Sequence, residues 1–267
     1  SIAFFVENYN VSNVPGGYSQ VNVDAAVARD TQWHVGTNAI EWSPGQCTAA
    51  DPPNCSGAVN FAKYFNFSPA TGQRQNTLDL DGRGQKAMPG ICISCHGGRA
   101  DPLTPQSTYA LVEDSLSRKR GDVQARLQAF NVDSFEWATK PGFTRADQEA
   151  VLKVFNQWVL CSYPGGGSVT GSWGTCNRPA TGANEWQGSA AAMIQDWYGG
   201  ATLPNARLSD TYLPALWNTG TTNVRLYREV VAPYCRTCHL LRGTANEIAI
   251  DFGSELEFRS YTSRIKA

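Results

Sequence analysis

Two short segments constrain this chain more than anything else in it. They read Cys92-Ile93-Ser94-Cys95-His96 and Cys235-Arg236-Thr237-Cys238-His239. Each is a C-x-x-C pair followed at once by histidine, the attachment signature of a c-type haem. The two thiols add across the vinyl groups of the porphyrin, and the histidine is then held under the iron as its proximal ligand. With eight Cys and three His in 267 residues, random placement gives about 0.003 such motifs. Two are present, and they use two of the three histidines. The motifs imply two covalently bound haem c groups, one on Cys92, Cys95 and His96 and one on Cys235, Cys238 and His239.

Other uses of paired cysteines explain less. A zinc ribbon separates its two C-x-x-C knuckles by roughly 15–20 residues, whereas these lie more than half the chain apart. A thioredoxin-like site needs one C-x-x-C on a βαβ frame and gives no reason for a histidine after both. The other four cysteines pair by position. Cys47 and Cys55 bracket a Pro-rich turn, and Cys161 and Cys176 bracket a Gly-rich one. An even remainder closing two flexible loops reads as two disulfides. Disulfides and covalent haem both point to an oxidising compartment, the periplasm or the cell exterior. Ser1 then reads as the start of a processed chain.

Composition narrows the partners. Net charge is −1, so no overall basic field exists to hold nucleic acid. No apolar run approaches the roughly 18 residues of a spanning helix, so no integral membrane segment is expected. The expected partners are other redox proteins or cytochromes, with self-association as a further possibility.

Along the chain, residues 1–90 are rich in Asn, Gly, Pro and aromatics with little helical periodicity. A strand over Asn60–Phe67, a turn at Ser68–Gly72 and a return through Leu78 predict a hairpin within irregular structure. Helices are expected after the first motif. Asp122 would cap one carrying Val123, Leu127 and Phe130. Thr144 would begin another, with Asp147 completing a capping box and Leu152, Phe155, Trp158 and Val159 on its apolar stripe. Trp186, Ala190, Met193, Ile194 and Trp197 share a helical face that Gly199-Gly200 ends. Asn223 would cap a fourth helix, which Pro233 bends or stops just before Cys235. The fold class expected is therefore mainly α, with extensive irregular loops and a small β-hairpin. The stretch around 162–184, rich in Ser, Gly, Thr and Asn, suggests a boundary between a first haem unit, 1–180, and a second, 181–267. The last residues, Arg264 to Ala267, carry no helix stop signal, which leaves a longer native chain open.

A helix leading directly into C-x-x-C-H over Asn223–Leu240 resembles the c-type cytochromes, with a fainter echo from Met88 onward. The resemblance implies cytochrome c-like helices packed around two haems. It also makes the sixth iron ligand the mechanistic question. Filled by His or Met the iron passes electrons, and left open it binds oxygen or peroxide. His34, the one uncommitted histidine, is a distal candidate, as is Met193, although a core methionine is the default for its apolar stripe. Met88, four residues before Cys92, is expected to pack against the ring. One-haem relatives place a distal methionine well after their motif, and here none follows His239. Arg99 and Arg242, three residues beyond each proximal histidine, are candidates to neutralise haem propionates. The function these readings favour is a dihaem cytochrome carrying electrons, with no catalytic residue assigned. A dihaem peroxidase-like or oxygenase-like enzyme is the alternative, and a subunit of an extracellular conducting filament a lesser one.

Overall fold

The computed structural model describes residues 1–11, 19–43, 60–79, 84–97, 111–113, 119–121, 125–163, 190–239 and 252–265. The chain divides into two compact units that interleave along the sequence. The first comprises residues 1–93, 99–125 and 135–148, and the second residues 94–98, 126–134 and 149–267. The stretch expected to separate two consecutive units, 162–184, lies almost wholly outside the described residues.

The first unit is built on a four-stranded antiparallel sheet in the order β1 (Ile2–Tyr9), β2 (His34–Ser43), β3 (Phe61–Phe67) and β4 (Arg74–Gln75). Helix α1 (Gln20–Ala28) lies between β1 and β2 in the chain. Register places Ile40 between Phe4 and Tyr64, and Trp42 between Ile2 and Ala62. Side chains alternate across a strand, so Ile40, Trp42, Ala62 and Tyr64 share one face. That face packs with Ile93, Ala125, Met88 and Cys92 into the unit's core. Two short ribbons follow, β5 (Thr77–Leu78) with β6 (Lys86–Ala87), and β7 (Leu111–Glu113) with β8 (Lys119–Gly121). The turn expected after Phe67 is present, with the Gly72 N–H bonded to the Ser68 carbonyl, but the return along β3 is Arg74–Gln75, and Leu78 pairs with Lys86 instead.

This sheet overturns the expectation of a mainly α fold with cytochrome c-like helices and one small hairpin. The architecture is mixed α and β. The expectation failed because β1 and β2 pair across an intervening helix. No two-residue turn marks such a pairing, and non-local strands leave only a weak alternation in sequence.

Helix α2 (Ile93–His96) is the first motif itself. The helix expected from Asp122 is not there. Asp122 and Val123 lie outside the described residues, and residues 125–131 form no regular element. The Asn156 side chain takes over the backbone of Phe130. Its oxygen accepts from the Phe130 N–H at 2.7 Å and its amide donates to the Phe130 carbonyl at 2.9 Å. That pairing satisfies the Phe130 backbone without a helical ladder.

Helix α3 (Arg145–Ser162) starts where Thr144 predicts. The Thr144 hydroxyl donates to the Asp147 carboxylate at 2.6 Å and accepts from the Asp147 N–H at 3.3 Å, while the carboxylate accepts the Thr144 N–H. These bonds hold the Asp147 carboxyl below its usual range. In the second unit, the buried face of α3 includes Asn156, Val159 and Leu160. Helix α4 (Ala191–Trp197) buries Met193, Ile194 and Trp197. The chain leaves it through Gly199 at φ 84°, where a β-carbon would stand 2.6 Å from the Asn205 amide. Only glycine fits that turn.

The helix into the second motif begins at α5 (Thr221–Leu226), two residues before the expected cap at Asn223, with Gly220 as N-cap. It widens into a π-helical stretch over Tyr227–Cys235 and continues as α6 (Arg236–His239). Pro233 therefore neither stops nor separates it. Proline has no N–H to donate, and the wider i→i+5 winding absorbs the missing bond. The core beneath contains Trp217, Tyr227, Val231 and Phe252, with Phe258 of α7 (Glu255–Ser260) packed on it. A short α8 (Thr262–Ile265) follows. No helix among the described residues is long and apolar enough to cross a membrane.

Candidate functional site

The second unit brings together parts of both C-x-x-C-H motifs, 143 residues apart in sequence. The Sγ atoms of Cys95 and Cys238 approach to 3.1 Å. The Gln128 amide donates to the Cys95 carbonyl at 3.3 Å and also to the carbonyl of Thr237. One side chain thus joins the backbones of the two motif turns. All four motif cysteines are thiols. Among the described residues no three His, Cys, Asp or Glu side chains converge as a metal shell.

His96 is oriented for ligation. Its Nδ1 lies 3.1 Å from the Arg126 carbonyl. A carbonyl only accepts, so Nδ1 carries the proton and Nε2 presents its lone pair. Burial pulls the imidazole below its usual range, against a smaller opposing effect of the same carbonyl. The ring is thereby kept neutral, the form that binds a metal. His239 stacks on Phe252, with ring centroids 3.9 Å apart and planes 14° from parallel. Phe252 is buried at φ 53°, a region a bulky L-residue enters only at a cost of about 1–2 kcal/mol. Its carbonyl accepts from the Trp217 indole at 2.8 Å, which pins the strained residue under the histidine.

The second turn is anchored by a buried charge. Arg236, 4% exposed, forms a two-pronged pair with Asp210. Asp210 also accepts from the Trp197 indole at 2.8 Å and the Asn131 amide at 3.2 Å. The guanidinium lies over the Trp197 ring, 5.6 Å from its centroid. Desolvation works against the charged guanidinium, but the bonds and charge of Asp210, joined by Tyr227, outweigh it and hold its pKa above the usual value.

In the first unit, Cys92 sits against the sheet and donates to the Met88 sulfur at 3.6 Å. Burial pushes its thiol up to about 11. Met88 thus packs beside the motif. His34 opens β2 in the same unit. Its Nε2 lies 3.1 Å from the Thr37 hydroxyl and its ring 5.4 Å from that of Tyr9. Met193 is buried in the second unit. With Gln128, Tyr163, Trp197 and Thr237 it lines a cleft of about 20 Å3, room for about one water. Cys161 is disulfide-bonded. Cys47, Cys55, Cys176, Arg99 and Arg242 lie outside the described residues.

Sequence reading missed Gln128, Asp210, Phe252 and the Arg126 carbonyl, because none belongs to a spaced motif. Arg236 alone carried a signal, as the single charged residue between paired cysteines. Comparison with known proteins adds nothing to this geometry, since no family model, curated protein or solved structure matches the chain significantly.

Proposed function

We propose that this chain is a secreted dihaem c-type cytochrome that carries electrons between redox partners. The observation that carries the reading is the meeting of parts of the two C-x-x-C-H motifs in one unit, with sulfurs at 3.1 Å and a shared glutamine. Groups attached at the two turns would be near neighbours. Haem supplies reversible one-electron chemistry when bound.

The chain's own residues fit that group. Cys92 and Cys95 would hold one ring, Cys235 and Cys238 the other. His96 offers Nε2 because Arg126 keeps the proton on Nδ1. Phe252 fixes the plane of the His239 imidazole, and the Arg236–Asp210 pair fixes the turn that carries it. Such outer contacts orient ligands and tune a metal's potential. The disulfide at Cys161 supports an oxidising compartment, periplasmic or extracellular.

Acid-acetone extraction of the matured protein should leave both haems on the chain, with an intact mass raised by two haem groups. Haem in the extract, or zinc in its place, sinks the assignment. The carrier role predicts rapid oxidation and reduction by small redox proteins with no more peroxide turnover than exposed haem shows. Fast, saturable peroxide turnover would overturn that role while leaving haem attachment intact.

A further inference from the structure

Cys95 and Cys238 do more than mark where two motifs meet. We infer that these two thiols form a cross-motif disulfide, a redox lock that takes one attachment sulfur from each C-x-x-C-H at once. Their Sγ atoms stand 3.1 Å apart, and a disulfide needs about 2.05 Å. A shift of about 1 Å closes that gap, within the reach of side-chain rotation. The surroundings hold the pair in place. Gln128 bonds the Cys95 carbonyl and the carbonyl next to Cys238, so the approach is fixed at the backbone of both turns.

Burial works against the thiolate form of both within-motif partners. Thiolate, not thiol, is the nucleophile in exchange. Burial holds the Cys92 and Cys235 thiols up, and the charge of Cys238 raises Cys235 further. Cys92 is also engaged with Met88. Reaction within either motif must begin or end on one of these two half-buried sulfurs.

The oxidant is a disulfide, either a small one such as oxidised glutathione or that of a protein oxidant. The Cys238 thiolate attacks one of its sulfurs, forming a mixed disulfide and releasing a thiolate. Deprotonated Cys95 then attacks the Cys238 sulfur and displaces the second thiolate. Two protein thiols lose two electrons and two protons, and the oxidant becomes two thiols. The lock follows from the thiol geometry and stands whether or not haem is the ligand. The haem reading sets only its consequence, that a reductant must act before either motif can form two thioethers.

The test uses the full chain produced without haem attachment and exposed to oxidised glutathione. Remaining thiols are alkylated and peptides mapped without reduction, for the native chain and for the chain in guanidinium. The native chain should give a dominant Cys95–Cys238 peptide pair. The unfolded chain should instead pair neighbours, Cys92 with Cys95 and Cys235 with Cys238. Native pairing within the motifs, four alkylatable motif thiols, or identical maps for the two samples would each overturn the lock. The haem reading stands or falls separately, on the mass of the matured protein.

Discussion

Arg236 is the one charged residue inside either motif, and its burial determines how the second turn is held. Removing one partner of a buried ion pair leaves the other uncompensated and costs about 3–5 kcal/mol. Asp210 keeps 17% of its side chain exposed, so the low end applies. Arg236→Met should lower stability by about 3 kcal/mol, read as a shift of the denaturation midpoint at unchanged slope. The double variant Arg236→Met with Asp210→Leu should recover much of that loss, because neither charge is then stranded. Equal stability of the single and double variants would show that the charge is not the source of the effect. Phe252 makes a subtler contribution. Phe252→Leu keeps an apolar residue but removes the ring stacked on His239. On the haem reading, this variant should change the electron paramagnetic resonance signature of one ferric haem and leave the other unaltered. Unchanged spectra at both would mean that the stack does not orient a ligand. At this scale the sequence showed the reactive atoms and concealed their supports. A C-x-x-C-H is legible because its spacing is the chemistry. Gln128, Asp210 and Phe252 act through contacts formed only on folding, and nothing in their spacing announces them.

Among the elements, α3 was legible for a physical reason that can itself be tested. Its start is local, because Thr144 and Asp147 satisfy each other's backbone groups across three residues. Loss of a threonine cap costs about 1 kcal/mol, so Thr144→Ala should lower stability by about that amount at neutral pH, read as a lower denaturation midpoint at unchanged slope. The pH dependence follows from the depressed Asp147 carboxyl. A group whose pKa falls on folding contributes stability above its unfolded value, and that contribution is lost as pH falls through the folded value. The gap between wild type and Thr144→Ala should therefore narrow below the usual carboxylate range. A gap that stays constant with acidification would rule out the charged cap. Elements that depend on distant partners were harder to see. The segment at 125–131 carries Leu127 and Phe130 at helical spacing, yet Asn156 of α3 takes both backbone bonds of Phe130 and the segment forms no helix. The helix into the second motif shows the opposite case. Pro233 looks like a stop, but the π-helical winding over Tyr227–Cys235 carries the chain past it. Both errors come from reading a residue's preference without the neighbour or winding that overrides it.

The division of the molecule bears most on function. The first motif changes units within itself, Cys92 and Ile93 belonging to the sheet unit and Cys95 and His96 to the other. The second motif lies wholly in that other unit, where Cys95 and Cys238 meet. Two redox groups attached at turns in contact cannot titrate independently. Oxidising one places a unit charge near the other, and at the effective dielectric of a protein interior such charges interact by on the order of 1 kcal/mol. For a one-electron couple, 1.4 kcal/mol corresponds to about 59 mV. On the haem reading, deleting one haem should move the other's potential. A chain with Cys235→Ser and Cys238→Ser should retain a single haem at Cys92 and Cys95. The midpoint of that haem should shift by tens of millivolts from its value in the two-haem protein. The direction is fixed by charge, since a neighbour that stays oxidised makes reduction easier and raises the potential. Losing such a neighbour should therefore lower it. Raising ionic strength should screen only part of the shift, because the turns that meet are partly buried. A remaining haem whose potential matches a component of the intact protein within a few millivolts would show that the two sites are electrically separate. The contact between the turns would then be a matter of packing and not of electron transfer.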